Sequence, residues 1–189
     1  LVPQSKIVIK DVGLNFFRIG LIDVLKKMNG KISIRNRRLL NMEEVGDIHV
    51  SHSKLVAVDV KKSLTTRLID EYPILFVAAS FAKGISNFKG LGELKFKESN
   101  RIEAMEQALK NAGVNIVTKK DDVTIIGANK QKGGNYVVTN HDHRIAMSML
   151  VFGMVSDEPI VIDEIGMINT SFPKFKEYFS SVGANLEYV

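Results

Sequence analysis

The chain has 189 residues, of which 45% are hydrophobic and 25% are charged, with 26 basic residues against 21 acidic ones. These proportions are close to those of an average folded domain and exclude a disordered chain, a coiled coil and a collagen-like repeat. Cysteine is absent, which excludes disulfides, thiolate zinc sites and thiol catalysis. The formal charge of +5 favours an anionic partner, such as a phosphorylated metabolite, a nucleic acid or a membrane surface.

The start of the sequence and its apolar stretches give expectations about the cellular location of the protein. No apolar stretch approaches the roughly 18 residues that a membrane-spanning helix needs, so no membrane association is expected. The chain starts with Leu1 and lacks a signal-peptide pattern, and we expect a cytoplasmic protein whose sequence begins inside a longer one. Residues 1–5 are interpreted as a linker or a cloning remnant.

One plan recurs three times along the chain: a β-branched run, a glycine, a helical stretch, and a closing glycine before another β-like run. The copies open with KIVIKDVG, ISNFKGLG and PIVIDEIG, and they close at Gly30, Gly113 and Gly183. Each closing glycine is predicted to adopt the left-handed conformation just past a helix end. The opening and closing glycines lie 17 residues apart in the first and third copies and 21 apart in the second. The additional residues of the second copy fall in the charged segment ELKFKESN.

A shift of 74 residues aligns ILFVAASFAKGISNFKGLG with MSMLVFGMVSDEPIVIDEIG and places Asp70 on Arg144. Each long unit then consists of helix, strand, helix and strand, followed by a β-rich tail. We predict an α/β (α+β) domain of repeated βαβαββ-type units that pack helices against mixed sheets, with units at about residues 6–60, 61–138 and 139–189. NKQKGG is predicted to be a hairpin-like loop, and RNRRLLNMEE a connection between strands.

The inserted segment contains the strongest candidate site, Lys97-Glu98-Ser99-Asn100-Arg101. Asn100 and Glu103 form a capping-box pattern before an apolar periodicity, so a helix is predicted to begin there, with Arg101 in its first turn. Cations at a helix start oppose the helix dipole, and this conflict is typical of a functional anion site. A solvated helix start is the alternative.

A similar arrangement, His141-Asp142-His143-Arg144, precedes a second apolar helix. An ordinary surface helix cap is the alternative interpretation. The H-x-H pair suggests a metal site, but cysteine is absent and no further histidine follows at ligand spacing, so no metal is predicted.

The third candidate is the pair Asp70 and Glu71, which precedes Pro73 at the start of another helix. A carboxylate in this position is more often a helix cap than a general base. The alignment of Asp70 with Arg144 favours a role in chemistry instead, because both residues then occupy the same position in successive units.

Several basic stretches are candidates for nucleic-acid contact: Arg35 to Arg38, Lys119-Lys120 and Lys130-Gln131-Lys132. Aromatic residues barely interleave with them, and no signature of a nucleic-acid-binding module is present. Solvated surfaces are the favoured interpretation, and no nucleic-acid partner is predicted.

Four segments, LIDEYPILFVAASFAKG, GELKFKESNRIEAM, HDHRIAMSMLVFGMV and NTSFPKF, resemble the C-terminal half of the 5-enolpyruvylshikimate-3-phosphate (EPSP) synthases. VGLNFFRIGLIDVLKKMNGKISI resembles the beginning of the same domain. The resemblance implies one domain of a two-domain enolpyruvyl transferase fold, with the family's N-terminal strand and its other domain missing from this sequence.

The family transfers an enolpyruvyl group from phosphoenolpyruvate to the 5-hydroxyl of shikimate 3-phosphate and releases phosphate. The resemblance implies that Asp70 is the general base and that Glu98 and Lys97 transfer protons and contact the substrate. It also implies that Arg101 and Arg144 bind phosphoenolpyruvate, with His143 beside them. No cofactor and no metal are expected, and the isolated chain is expected to be inactive because most contacts to the shikimate phosphate come from the other domain.

Three parts of the sequence depart from the family pattern. Asn100 replaces a common Asp, Thr170 stands where some members have Lys, and the usual TRTG is Phe17-Arg18-Ile19-Gly20. Two alternatives remain: a non-catalytic domain that binds an anion or a protein, and a UDP-N-acetylglucosamine enolpyruvyl transferase, which shares the fold but lacks the KES-x-R and DHR pairing.

Overall fold

The computed structural model describes residues 1–187 and contains helices and mixed sheets, as the sequence predicts. The strands are β1 (Lys6–Gly13), β2 (Lys31–Leu40), β3 (Glu43–Ser51), β4 (Asp59–Val60), β5 (Gly84–Phe88), β6 (Asn115–Lys119), β7 (Asp122–Gly127), β8 (Tyr136–Val137) and β9 (Val161–Ile162). The helices are α1 (Gly20–Lys27), α2 (Tyr72–Ser80), α3 (Arg101–Asn111), α4 (His143–Gly153), α5 (Ile168–Ser171) and α6 (Phe175–Ser181). None of these helices has the length and apolarity needed to cross a membrane.

The described strands form three sheets, of which the first lies within one predicted unit, while the second and the third each include a strand of the preceding unit. The first is antiparallel with the order β1-β3-β2. The second has the order β4-β5-β7-β6, in which β4 pairs with β5 in parallel and the other pairs are antiparallel. The third consists of β8 and β9 in parallel. The helices thus associate with small sheets, and the division into three repeated units stays a prediction.

Helix α2 lies at the centre of the main core. Its sequence YPILFVAAS is apolar on every side, and a helix of this kind is stable only when it is surrounded by protein. All of its residues except Ile74 are buried, and it packs against α3, α4 and β7. A smaller cluster around Ala146, Ile168 and Phe175 joins α4 to the last two helices. The central helix fixes the position of Asp70 and Glu71, which immediately precede it.

The predicted helix ends are confirmed at two of the three closing glycines. Gly113 and Gly183 have φ angles of +90° and +97°, two residues after the last residues of α3 and α6. After α1 the left-handed residue is instead Asn29, with φ of +68°, so the prediction for Gly30 is wrong. Asparagine adopts this conformation more readily than most residues because its side chain is short and polar. In addition, the Asn29 amide is held by a long-range hydrogen bond that it donates to the Lys54 carbonyl.

Two loop predictions are also wrong. RNRRLLNMEE is mostly strand, because β2 and β3 form a hairpin whose two connecting residues, Asn41 and Met42, both have positive φ angles. NKQKGG does not form a hairpin, since the strands on either side of it, β7 and β8, belong to different sheets.

The third unit is less regular than its sequence predicts. Pro173 cannot continue a helix from the preceding turn, and the predicted helical stretch is divided into α5 and α6. Residues 184–187 of the final β-like run are not in a strand, and the remainder of that run lies outside the described residues.

Candidate active site

Three separate segments bring the predicted site residues together. Asp70 lies two residues before α2, Lys97 and Glu98 lie in the loop before α3, and Arg101 is the first residue of α3. Arg144, the second residue of α4, donates from Nη1 to the backbone carbonyl of Asp70 at 3.0 Å. The aligned positions Asp70 and Arg144 are therefore direct neighbours in space.

Arg101 is the centre of the cluster. Its side chain is 1% exposed, and its guanidinium group donates to three carboxylates. Nε donates to Asp142 Oδ2 at 2.8 Å, Nη1 to Asp70 Oδ1 at 3.3 Å, and Nη2 to Glu98. The planar guanidinium fork suits such an arrangement because its donors point in fixed, divergent directions. In this structure every nitrogen of Arg101 has a carboxylate partner.

Asp142 links Arg101 and Ser99 to the start of α4. It is fully buried, and it caps α4 by accepting a hydrogen bond from the backbone N–H of Arg144 at 2.9 Å. It also accepts from the Ser99 hydroxyl at 3.0 Å, in addition to Arg101. Asp142 is thus a buried helix cap joined to the KES-x-R segment, and the surface-cap interpretation of this motif is wrong.

Asp70 faces a group of positive charges. Lys97 Nζ is 3.6 Å from Oδ1, while Arg144 Nη2 and Arg18 Nη1 are 3.7 Å and 4.0 Å from Oδ2. Burial disfavours the charged form of Asp70, but Arg144, Lys97 and Arg101 outweigh burial and lower the pKa below its ordinary value. Asp70 is therefore ionised at neutral pH and able to accept a proton.

The pKa values of the two other carboxyl groups of the cluster, Asp142 and the partly buried Glu71, shift in opposite directions. At Asp142 burial opposes ionisation, but the hydrogen bond and charge of Arg101 lower the pKa. At Glu71 burial dominates and raises the pKa, with repulsion from Asp70 acting in the same direction. Arg144 Nη1 lies 3.9 Å from Glu71, which offsets this effect only in part.

The remaining predicted positions lie at the edge of the cluster or outside it. His143 is the first residue of α4 and is partly exposed, beside Arg144. Asn100 caps α3 by accepting from the Glu103 N–H, so it replaces Asp without loss of the predicted cap. The Thr170 hydroxyl donates to the Met167 carbonyl within the last part of the chain.

Four residues that contact this cluster were not among the predicted site residues, although three of them lie in the candidate motifs: Arg18, Glu71, Ser99 and Asp142. Three of them are direct neighbours of predicted residues along the chain, so attention to each whole motif could have identified them. Arg18 belongs to a segment about 50 residues upstream, and nothing in its spacing indicates proximity to Asp70. Only the packing of α1 against the residues before α2 brings it there.

Comparison with known proteins agrees with this geometry. The family described as EPSP synthase (3-phosphoshikimate 1-carboxyvinyltransferase) matches residues 1–179. Curated relatives named 3-phosphoshikimate 1-carboxyvinyltransferase include those of Petrotoga mobilis, 42% identical over 96% of this chain, and Zymomonas mobilis, 44% identical over 99% of it. The chain spans 42% of the length of each of these relatives.

Solved structures show the same relationship. An EPSP synthase from Acinetobacter baumannii superposes with a TM-score of 0.93 at 34% identity, covering 97% of this chain and 43% of the other. The enolpyruvyl transferase NikO from Streptomyces tendae shares the fold, with a TM-score of 0.70 at 12% identity over 98% of this chain and 40% of the other. The helices and mixed sheets of this chain thus have the enolpyruvyl transferase fold. Within that class, the chain belongs to the EPSP synthase family.

Proposed function

We propose that this chain forms one side of the active site of an enzyme that transfers the enolpyruvyl group of phosphoenolpyruvate to the 5-hydroxyl of shikimate 3-phosphate and releases phosphate. The supporting observation is the convergence of Asp70, Lys97, Glu98, Arg101 and Arg144 on one point, in a chain of the EPSP synthase family. The reaction needs a proton removed from a hydroxyl, a proton added to a methylene carbon, and cations that stabilise several negative charges.

In this proposal Asp70 accepts the hydroxyl proton. Its lowered pKa keeps it ionised at neutral pH, as a general base must be before the reaction. Glu98 and Lys97 lie on the adjacent loop, and they transfer protons and contact the substrate. Both residues are partly exposed, with side chains 48% and 31% accessible, so an incoming substrate can reach them.

Arg101 and Arg144 bind the carboxylate and phosphate of phosphoenolpyruvate, with His143 beside them. Asp70 and Glu98 already accept hydrogen bonds from Nη1 and Nη2 of Arg101, so a substrate anion that binds Arg101 in a bidentate way competes with these carboxylates. Nε of Arg101 remains with Asp142 throughout. The site carboxylates thus occupy Arg101 until the substrate replaces them.

We further propose that the site is completed by a second domain of the same cytoplasmic enzyme, with no cofactor or metal, and that this chain alone has negligible turnover. The test is a phosphate-release assay with phosphoenolpyruvate and shikimate 3-phosphate, on the complete enzyme containing this chain and on the chain alone. We expect turnover only in the complete enzyme, with Asp70→Ala and Glu98→Ala each lowering kcat about 100-fold or more. Lys130→Ala, a change at an exposed residue that pairs with Asp157, is the control.

Two outcomes would contradict the proposal. A complete enzyme that releases no phosphate from these substrates would favour a non-catalytic domain that binds anions. Turnover with UDP-N-acetylglucosamine in place of shikimate 3-phosphate would assign the chain to the related transferase instead.

A further inference from the structure

We propose that Arg18 is an additional anion-binding residue of this site, which contacts a phosphate or carboxylate oxygen of the substrate bound next to Asp70. Arg18 lies in the loop before α1, in a segment for whose residues the family resemblance implied no role. The role of the anion as a substrate group rests on the proposed function; the anion-binding capacity of Arg18 does not.

The first argument is the state of the guanidinium group. Each nitrogen of Arg101 already has a carboxylate partner, and Arg144 Nη1 donates to the Asp70 carbonyl. Within residues 1–187 the side chain of Arg18 makes no hydrogen bond, and its nearest charged partner, Asp70 Oδ2, is 4.0 Å away, beyond hydrogen-bond distance. Its side chain is 64% exposed. Arg18 therefore keeps its donors available for an incoming anion, beside a site whose other arginines are engaged.

The second argument is the rigid support of the loop that presents Arg18. Arg67 donates from Nε to the Phe16 carbonyl at 2.8 Å and lies over the Phe16 ring at 3.8 Å from the centroid. Its Nη2 pairs with Asp23 of α1 at 2.7 Å. The Arg67 side chain is only 12% exposed, and its contacts hold the loop against the residues that precede Asp70.

The third argument is close backbone packing at the start of α1. A Cβ atom on Gly20 would lie 2.5 Å from the Arg67 carbonyl oxygen, so the helix approaches this segment as closely as a glycine allows. In addition, the Asn15 side chain accepts from the Phe17 N–H, and the Asn15 carbonyl accepts from the Arg18 N–H at 2.8 Å. The backbone of Arg18 is thus fixed while its side chain reaches freely toward Asp70.

The primary test is a titration of this chain with inorganic phosphate, followed through the side-chain Nε–H resonances of arginine in nitrogen–proton NMR spectra. Arg18→Lys assigns the Arg18 signal by its loss. We expect the Arg18 signal to move in a saturable way, and at lower phosphate concentration than the signal of Arg35, an exposed arginine of β2 outside the cluster. A response of Arg18 no larger than that of Arg35 would overturn the proposal.

Kinetics of the complete enzyme identify which substrate supplies the anion. We expect Arg18→Ala to raise the KM of one substrate about tenfold or more, with kcat changed less than threefold, because a charge-assisted hydrogen bond to the bound substrate is lost. Arg18→Lys restores part of the affinity, since it keeps the charge but not the guanidinium fork, and Arg35→Ala changes neither constant.

An increase confined to phosphoenolpyruvate or to shikimate 3-phosphate assigns the anion to that substrate. If both KM values stay unchanged, Arg18 has no role with the substrates, and that part of the inference is wrong. A complete enzyme without any turnover would refute the proposed function, whereas the phosphate titration would still decide whether Arg18 binds an anion.

Discussion

A single buried carboxylate organises the charged residues of this domain. Asp142 pairs with Arg101, accepts from Ser99 and caps the helix on which Arg144 lies. Two buried opposite charges stabilise each other, because either one alone would be an uncompensated charge in a medium of low polarity. Asp142 therefore acts through the arginines that it positions.

Asp142→Asn should destabilise the chain by about 3 kcal/mol, which is the lower end of the range for breaking a buried ion pair. The lower end applies because Arg101 still pairs with Asp70 and Glu98. The folded-state pKa of Asp142 is lowered, so its contribution is fully present above the ordinary carboxyl pKa and is lost as pH falls through the lowered value. The difference between variant and parent should therefore shrink in acid. Urea denaturation at several pH values measures this difference, with Asp157→Asn, part of an exposed pair, expected to have little effect.

Replacing Lys97 should change the ionisation of Asp70. Lys97→Met removes one of the cations that lower the pKa of Asp70, so this pKa should rise toward its ordinary value. Carbon NMR titration of the Asp70 carboxyl group measures the change directly. Lys95→Met is the matched control, since Lys95 pairs with Asp121 and should leave Asp70 unaffected. A fall in the pKa of Asp70 would contradict the arrangement of charges described here.

At the scale of elements, the contact between α2 and β7 depends on a missing side chain. A Cβ atom on Gly127 would lie 2.0 Å from the Ala82 carbonyl oxygen and 2.4 Å from that of Ala79. Gly127→Ala should therefore destabilise the chain by about 3 kcal/mol, since backbone must move to make room. Gly13→Ala, where no atom lies within 4 Å, should change stability by less than about 0.5 kcal/mol. Equal effects in thermal unfolding would contradict this packing.

In the hairpin between β2 and β3, by contrast, we expect a substitution that increases stability. Met42 is 96% exposed and has a φ angle of +67°, which a side chain with a Cβ atom adopts at a cost. Met42→Gly should stabilise the chain by about 0.5–1 kcal/mol. The substitution removes the backbone strain, and the additional conformational entropy that glycine loses on folding offsets part of this gain. Met42→Ala keeps the Cβ atom and should give no gain, which a comparison of urea midpoints would reveal.

Much of the element structure could be predicted because it depends on local rules. Asn100 and Glu103 predict the start of α3, and Pro73 predicts the start of α2 just after Asp70. The hairpin of β2 and β3 was missed because its turn uses Asn and Met at positive φ angles in place of the expected glycine. Pro173 could have indicated the division of the last helical stretch.

At the scale of the whole molecule, the meeting of distant segments could not be derived from local patterns. The separation of Asp70 and Arg144 by one repeat gave a hint, because equivalent ends of repeated helices lie on the same side of the fold. Burial of Asp142 and proximity of Arg18 to Asp70 depend on the packing of α3 and α4 against α2 and of α1 against the residues before α2, which no spacing encodes. The resemblance to a family implied roles for motif residues such as Asp70 and Arg144, and these roles stay predictions; the structure adds the geometry.

The two simultaneous contacts of Asp142, with the Arg144 N–H and with Arg101, affect the dynamics of the domain. Because one carboxylate both caps the first turn of α4 and holds Nε of Arg101, fraying of that turn and release of Arg101 are one opening event. The amide proton of Arg144 should then exchange with solvent at a rate that reports the integrity of the charged cluster. Anions that bind to Arg101 or Arg144 would slow this exchange, so the helix end is a natural reporter of occupancy.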